Sequence, residues 1–199
     1  MKTRGMVLAV VLFVGVSSLA YPQTTQDNPT QPAFDVLIVV RPRILDFNAL
    51  VLSYFEMRAL LQAGLPARRI TDDPDDNIKA ERALARRIRE ARDGAKIGEI
   101  FTPPIGAEFR RILQERMTPT TLAVIMDDNP GRFSHPVNGT YPTRRTLSTM
   151  PGTILAVLPS LPDGLEYRFL GRDLILHDTR ANIILDRITC AIECVEIVD

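Results

Sequence analysis

The residues that could carry chemistry are few and scattered. The histidines are His135, which precedes a proline, and His177, which precedes Asp178. His177-Asp178 could serve as a metal ligand with its orienting carboxylate, or as a general base with its orienter. No nucleophile motif accompanies the pair, so the expectation is a strand-end pair facing water. A hydrolase working through His135 or His177 is the enzymatic alternative. A tight transition-metal site recruits several His or Cys ligands, and the spacing here fits no zinc pattern. No catalytic, cofactor-binding or metal-binding residue is therefore assigned, and no cofactor is implied.

Cys190 and Cys194 are the only cysteines. On one helical turn their Cα atoms would lie about 6 Å apart, within disulfide range, whereas an extended strand would hold them about 13 Å apart. A disulfide between Cys190 and Cys194 thus requires the tail to turn, and unpaired or intermolecularly paired thiols stay open. The spacing is not that of a Cys-x-x-Cys redox motif.

Asp72, Asp73, Asp75 and Asp76 supply carboxylates of the kind calcium takes, but not the alternating loop with a distant Glu. Helix capping explains them. Asp127-Asp128-Asn129 before Pro130 reads as a turn, with a cation site as the lesser alternative. Asn138-Gly139-Thr140 matches the glycosylation sequon, but the bacterial look of the leader argues against modification. No phosphate-binding glycine loop, nucleophile elbow or paired-histidine helix is present.

The charge balance is even, with 24 basic and 24 acidic residues, and loss of Lys2 and Arg4 with a leader would make it slightly negative. Nucleic-acid binding needs a concentrated basic patch. Arg41/Arg43, Arg68/Arg69 and Arg86/Arg87/Arg89/Arg92 are interspersed with acids and read as solvated faces. The absence of tryptophan weakens carbohydrate-stacking or base-stacking hypotheses.

The elements that must position these residues begin with a leader. Lys2 and Arg4 precede an apolar run from Met6 to Val16, and Ser18-Leu19-Ala20 supplies the small residues a signal peptidase reads. Residues 1–20 read as a signal peptide cleaved before Tyr21, too short to span comfortably where about 20 apolar residues are needed. Membrane contact is then limited to the leader before cleavage. Residues 21–33 read as a disordered spacer.

Residues 34–128 read as a helical region, after a short strand over 36–40 ended by Pro42. Asp46 is expected to cap a helix burying Phe47, Leu50, Val51, Tyr54, Met57 and Leu61, ended by Gly64 and Pro66. Asp73-Pro74 opens a second helix, with Ala80, Leu84, Ile88 and Ala91 on one face and Gly94 closing it. Thr102-Pro103 opens a third, burying Ile105, Phe109, Ile112 and Leu113. Thr118-Pro119 opens a shorter one. Residues 129–199 form a loop-rich region with a short helix over 150–158. It ends in a β-meander: 165–169, a Gly171-Arg172 turn, 173–177, then 183–188. The fold class is α+β, a helical N-terminal part followed by a small antiparallel β-meander.

The text from Leu158-Pro-Ser-Leu-Pro-Asp-Gly-Leu-Glu-Tyr-Arg-Phe-Leu-Gly-Arg to Asp178, then Asn182 to Ile188, resembles the C-terminal module of the RcnB family of periplasmic proteins. The likeness lies in the proline pair, the glycine-tyrosine-arginine strand and the glycine turn. It covers 141–188, about a quarter of the chain. Phe169 stands where the family usually has tryptophan, and helices replace its polar upstream region. The resemblance implies a small hairpin module in an extracytoplasmic setting and carries over no binding residue.

The functional expectation is an exported, periplasmic or secreted, non-catalytic protein that binds another protein or an envelope component. The alternative is a periplasmic metal-responsive protein of the nickel and cobalt type.

Overall fold

The computed structural model describes residues 42–65, 74–131, 133–142 and 145–192. The expected leader, spacer and 36–40 strand lie outside these residues, as do Asp72, Asp73 and Cys194. No helix among the described residues is long and apolar enough to cross a membrane.

Five helices precede three strands. They are α1 (Pro42–Gln62), α2 (Pro74–Ala91), α3 (Pro103–Arg116), α4 (Pro119–Asp127) and α5 (Gly152–Leu155), then β1 (Leu165–Leu170), β2 (Asp173–Asp178) and β3 (Ile183–Ile188). The strands form one antiparallel sheet in the order β1-β2-β3, so the expected α+β architecture with a C-terminal meander is what the chain adopts.

Proline at the first helical position opens the first four helices, where its missing N–H is not needed. The Thr118 hydroxyl accepts from the Thr121 N–H at 3.1 Å and caps α4. Two expectations need correction. Asp46 does not cap α1, which begins four residues earlier at Pro42; it pairs with Arg43 one turn back. The 150–158 helix shrinks to Gly152–Leu155, because Pro151 precedes it and Pro159 follows closely.

One hydrophobic core joins helices and meander. It gathers Phe47, Val51 and Tyr54 of α1, Leu84 and Ile88 of α2, and Ile105, Phe109, Ile112 and Leu113 of α3. The sheet contributes Tyr167, Phe169, Leu174, Leu176 and Ile188. At its centre Phe47 meets Phe109 edge-on at 4.9 Å and Phe101 in a stack at 5.5 Å, with Tyr167 6.0 Å from Phe109. Such contacts add about 0.5–1.5 kcal/mol each beyond area burial.

The other face of the sheet is also covered. Phe133 and Tyr141 of the loop-rich connector pack on Leu170, Ile175 and Ile184. This is why β2 is buried at every position rather than at alternate ones. The connector is pinned by Asn129, whose side chain accepts from the Gly171 N–H at 2.8 Å and donates to the Gly171 carbonyl at 2.9 Å. The turn reading of Asp127-Asp128-Asn129 therefore acquires a long-range purpose, fixing the end of α4 against the β1–β2 turn.

Of the arginines expected to form a solvated face, Arg86 is exposed, but Arg87 and Arg89 of α2 and Arg92 just after it are engaged with the framework. Arg87 donates to the Leu61 and Ala63 carbonyls at the end of α1, and Arg89 to the Asn138 carbonyl and the Thr140 hydroxyl. Arg92 reaches the Leu185 carbonyl at 3.0 Å and lies over the Tyr54 ring. Backbone carbonyls that a helix end or strand edge leaves unpaired attract guanidinium groups, so α2 clamps α1, the connector and β3 together.

Candidate functional site

The neighbours His177 and Asp178 point to opposite faces of the sheet, as successive strand residues must. Both are buried, at 5% and 0% exposure, so the expectation of a pair facing water is wrong. Asp178 faces the helices. Its Oδ2 accepts from the Tyr54 hydroxyl at 2.6 Å and from Arg58 Nη1 at 3.1 Å, and its Oδ1 from the N–H groups of Arg180 and Ala181. Arg58 Nη2 also donates to the Asp163 carbonyl at 2.6 Å. Burial, reinforced by the adjacent carboxylate, pushes the Tyr54 hydroxyl far above its ordinary pKa. The centre is closed and fully engaged, which makes it a tie between α1 and the sheet rather than a reactive site.

Arg58 was invisible to pattern reading. It occupies the stripe position four residues after Tyr54, and an arginine inside a buried stripe is itself the signal that a carboxylate partner must exist elsewhere.

Asp186 forms a second buried carboxylate centre. It accepts from the N–H groups of Gly98, Ile100 and Phe101 at 2.7–2.9 Å, and from that of Arg187. It does for the loop before α3 what a capping side chain does for a helix.

His177 lies on the connector face. Its Nε2 contacts Asn182 Oδ1 at 3.1 Å, and its buried Nδ1 meets no partner among the described residues. Burial lowers its pKa below 6.5, against the raising effects of Asn182, Glu166 and Asp178. His135 is also buried, packed against Phe133 rather than standing free in a loop. Its ring nitrogens face the Phe133 carbonyl and Asp173 Oδ2, leaving neither bare for a substrate. Burial opposes ionisation of Asp173, but His135, the Cys190 N–H and Arg187 outweigh it and hold the carboxyl below its ordinary value.

The two histidines serve separate contacts, and no group of three or more His, Cys, Asp or Glu gathers among the described residues. Cys190 follows β3 with φ +50°, and no described cysteine carries a free thiol. Its expected partner Cys194 lies outside the described residues. Asn138 of the sequon is fixed at φ +61°, with its amide donating to the Arg92 carbonyl at 2.7 Å, which occupies the nitrogen a glycan would need.

Among the described residues, a concavity of about 290 Å³ opens between α3 and the chain after β3, lined by Leu113, Met117 and Ile192, and a groove of about 640 Å³ runs along the outer edge of β1. Leu147, Met150, Leu155 and Leu161 wall it, facing β1 residues 165–168. Leu147 and Leu155 are about half exposed, at 47% and 49%. The walls are pinned: Arg168 donates to the Ser148 carbonyl, the Tyr167 hydroxyl to the Pro159 carbonyl, and Thr149 to Asp128. Pockets of about 300–1,000 Å³ with apolar walls and a few fixed polar groups are the usual size of small-ligand sites.

The edge itself has a definite hydrogen-bonding pattern. The Thr179 N–H donates to the Gly164 carbonyl at 2.8 Å, which marks 164 and 179 as a hydrogen-bonded pair. In an antiparallel ladder such pairs alternate, so Glu166, Arg168 and Leu170 bond inward to β2 while Leu165, Tyr167 and Phe169 turn their backbone outward. The Leu165 N–H accordingly meets the Pro162 carbonyl, and the Phe169 N–H meets Ser148 Oγ. Between them, the Tyr167 N–H and carbonyl meet no partner among the described residues.

Comparison with known proteins matched no family model, no curated protein and no solved structure.

Proposed function

We propose that this chain is an exported, periplasmic or secreted protein that works by binding another protein or an envelope component rather than by catalysis. One observation carries the reading: the groove beside β1 is pre-formed and walled by leucines with a few polar groups, whereas the chemically versatile side chains are committed to internal ties. Leu147, Met150, Leu155 and Leu161 line the groove. Asp178, Asp186, Asp173 and His135 are buried and hydrogen-bonded to the framework.

Export rests on the N-terminal pattern of Lys2 and Arg4, the apolar run and Ser18-Leu19-Ala20. Further apolar surface lies on α1, where Leu45, Leu52 and Leu60 are 57%, 52% and 78% exposed at helical spacing. Surface leucines scattered singly need no explanation, but rows and grooves of them mark interaction surfaces.

The test is affinity capture from envelope extracts with the wild-type chain and with Leu155→Asp, which places a charge in the groove without disturbing a buried contact. A species retained by wild type and lost with the variant supports the reading. Identical retention by both removes the groove as the binding surface.

A further inference from the structure

We infer that the groove takes a short extended peptide as a fourth strand beside β1, with Tyr167 as the pairing residue. This rests on the binding reading above and specifies its partner as a polypeptide segment in β conformation.

The two edges of the sheet are treated differently. On the β3 side the connector lies along the edge: the Asn138 N–H donates to the Ile184 carbonyl at 2.9 Å, and the Ile184 N–H to the Gly139 carbonyl at 2.9 Å. On the β1 side only the end N–H groups are taken up, that of Leu165 by the Pro162 carbonyl of the preceding turn and that of Phe169 by Ser148 Oγ. In the middle, Tyr167, only 5% exposed, turns outward a backbone N–H and carbonyl that meet no partner among the described residues. Backbone groups in so sheltered a place have strong need of a partner, and an open strand edge is a template for a further strand. A small apolar ligand would fill the volume and leave those groups unmet. An extended peptide satisfies both at once.

Strand pairing then dictates the ligand. The residue opposite Tyr167 shares its face of the sheet, so an apolar side chain there lies on the side of the core and the leucine walls. Its two neighbours fall opposite Glu166 and Arg168, on the other face. Glu166 and Arg168 already form an ion pair with each other on that face, so in the antiparallel sense the preferred sequence is acidic, apolar, basic, which extends the pair: the acid beside Arg168 and the base beside Glu166. With the Leu165 and Phe169 N–H groups already taken on either side, the paired stretch is about three residues, so this site recognises a short segment by backbone shape and supplies specificity through one apolar side chain and the Glu166–Arg168 pair.

The probe is the capped peptide acetyl-Thr-Glu-Leu-Lys-Thr-amide, titrated at millimolar concentration into the isotope-labelled exported chain while backbone amide resonances are followed. Its control carries an N-methyl group on the central leucine, which removes the N–H that would donate to the Tyr167 carbonyl and leaves the side chain intact. The expected result is a saturating shift centred on the Tyr167 amide, with binding about tenfold weaker for the N-methyl peptide, as loss of one well-formed hydrogen bond implies. Equal binding of both peptides would overturn strand addition while leaving a groove-binding protein in place. No response at Tyr167 to either peptide would also overturn the inference, and the Leu155→Asp capture experiment then decides separately whether the broader reading stands.

Discussion

The Tyr54 hydroxyl donates a 2.6 Å hydrogen bond to Asp178 Oδ2, joining the middle of α1 to the end of β2. With Arg58 on the same oxygen, Asp178 is where the helical part and the meander are locked in register. Removing one member of a buried ion pair strands the other, which costs about 3–5 kcal/mol. Asp178→Ala is expected to lose that much in urea unfolding. Tyr54→Phe keeps the ion pair and deletes one bond to a charged acceptor, so its loss should be about 1.5–3 kcal/mol. Equal losses would mean that the tyrosine, not the ion pair, carries the tie.

Asp186 holds three backbone N–H groups of the 98–101 loop, with no cation on its carboxylate among the described residues. Asp186→Ala should cost about 3 kcal/mol or more, because it leaves several buried donors unpaired. Amide hydrogen exchange locates the effect: protection at Gly98, Ile100 and Phe101 should fall before protection in α3 does.

His177 gives the fold a defined pH response. Its pKa is depressed in the folded chain, chiefly by burial, so the unfolded chain binds the proton more readily. Its contribution is fully present above the ordinary value of 6.5 and is lost as pH falls from there through the lower folded pKa. Unfolding free energy should therefore decline on acidification below about pH 6.5 in the wild type, and His177→Gln should flatten the decline. Asp173, also depressed, acts in a separate range: its contribution persists until pH falls below 3.8 and is lost through its folded value. A pH profile unchanged by His177→Gln would contradict the assignment.

Much of this architecture was legible because local signals agreed with one another. Pro103 with Thr102, and Pro119 with Thr118, announce two helices, and in the first the buried Ile105, Phe109, Ile112 and Leu113 follow the helical period. Leu165 to Phe169 alternates apolar and polar ahead of a Gly171-Arg172 turn and a returning apolar run over 173–177, and it folds as that hairpin. The polar centres were not legible, since their partners are remote: Arg58 and Asp178 lie 120 residues apart and Gly98 and Asp186 lie 88 apart. No period encodes such pairing. The groove was hidden for another reason. Leu147 and Leu161 sit in proline-punctuated chain, where neither helical nor strand spacing asks for an apolar residue. That mismatch was the available clue.

Export makes a simple prediction. Recovered from the periplasm or medium of an expressing bacterium, the chain should have an intact mass that begins at Tyr21 and lacks the hydrogens of the Cys190 and Cys194 thiols. A mass that includes Met1 to Ala20 would refute cleavage, and a mass with both thiol hydrogens would refute the bridge.

The most direct test of the account places a photo-crosslinking amino acid at Leu155, in the groove wall, and separately at Glu90, exposed on α2. Both variants are irradiated in the cells that make the protein. The account predicts a discrete heavier adduct from position 155 that position 90 does not give, and its disappearance when Leu147→Asp is added. Adducts of equal yield from both positions, or none from position 155, would contradict the claim that the groove beside β1 is where this protein binds.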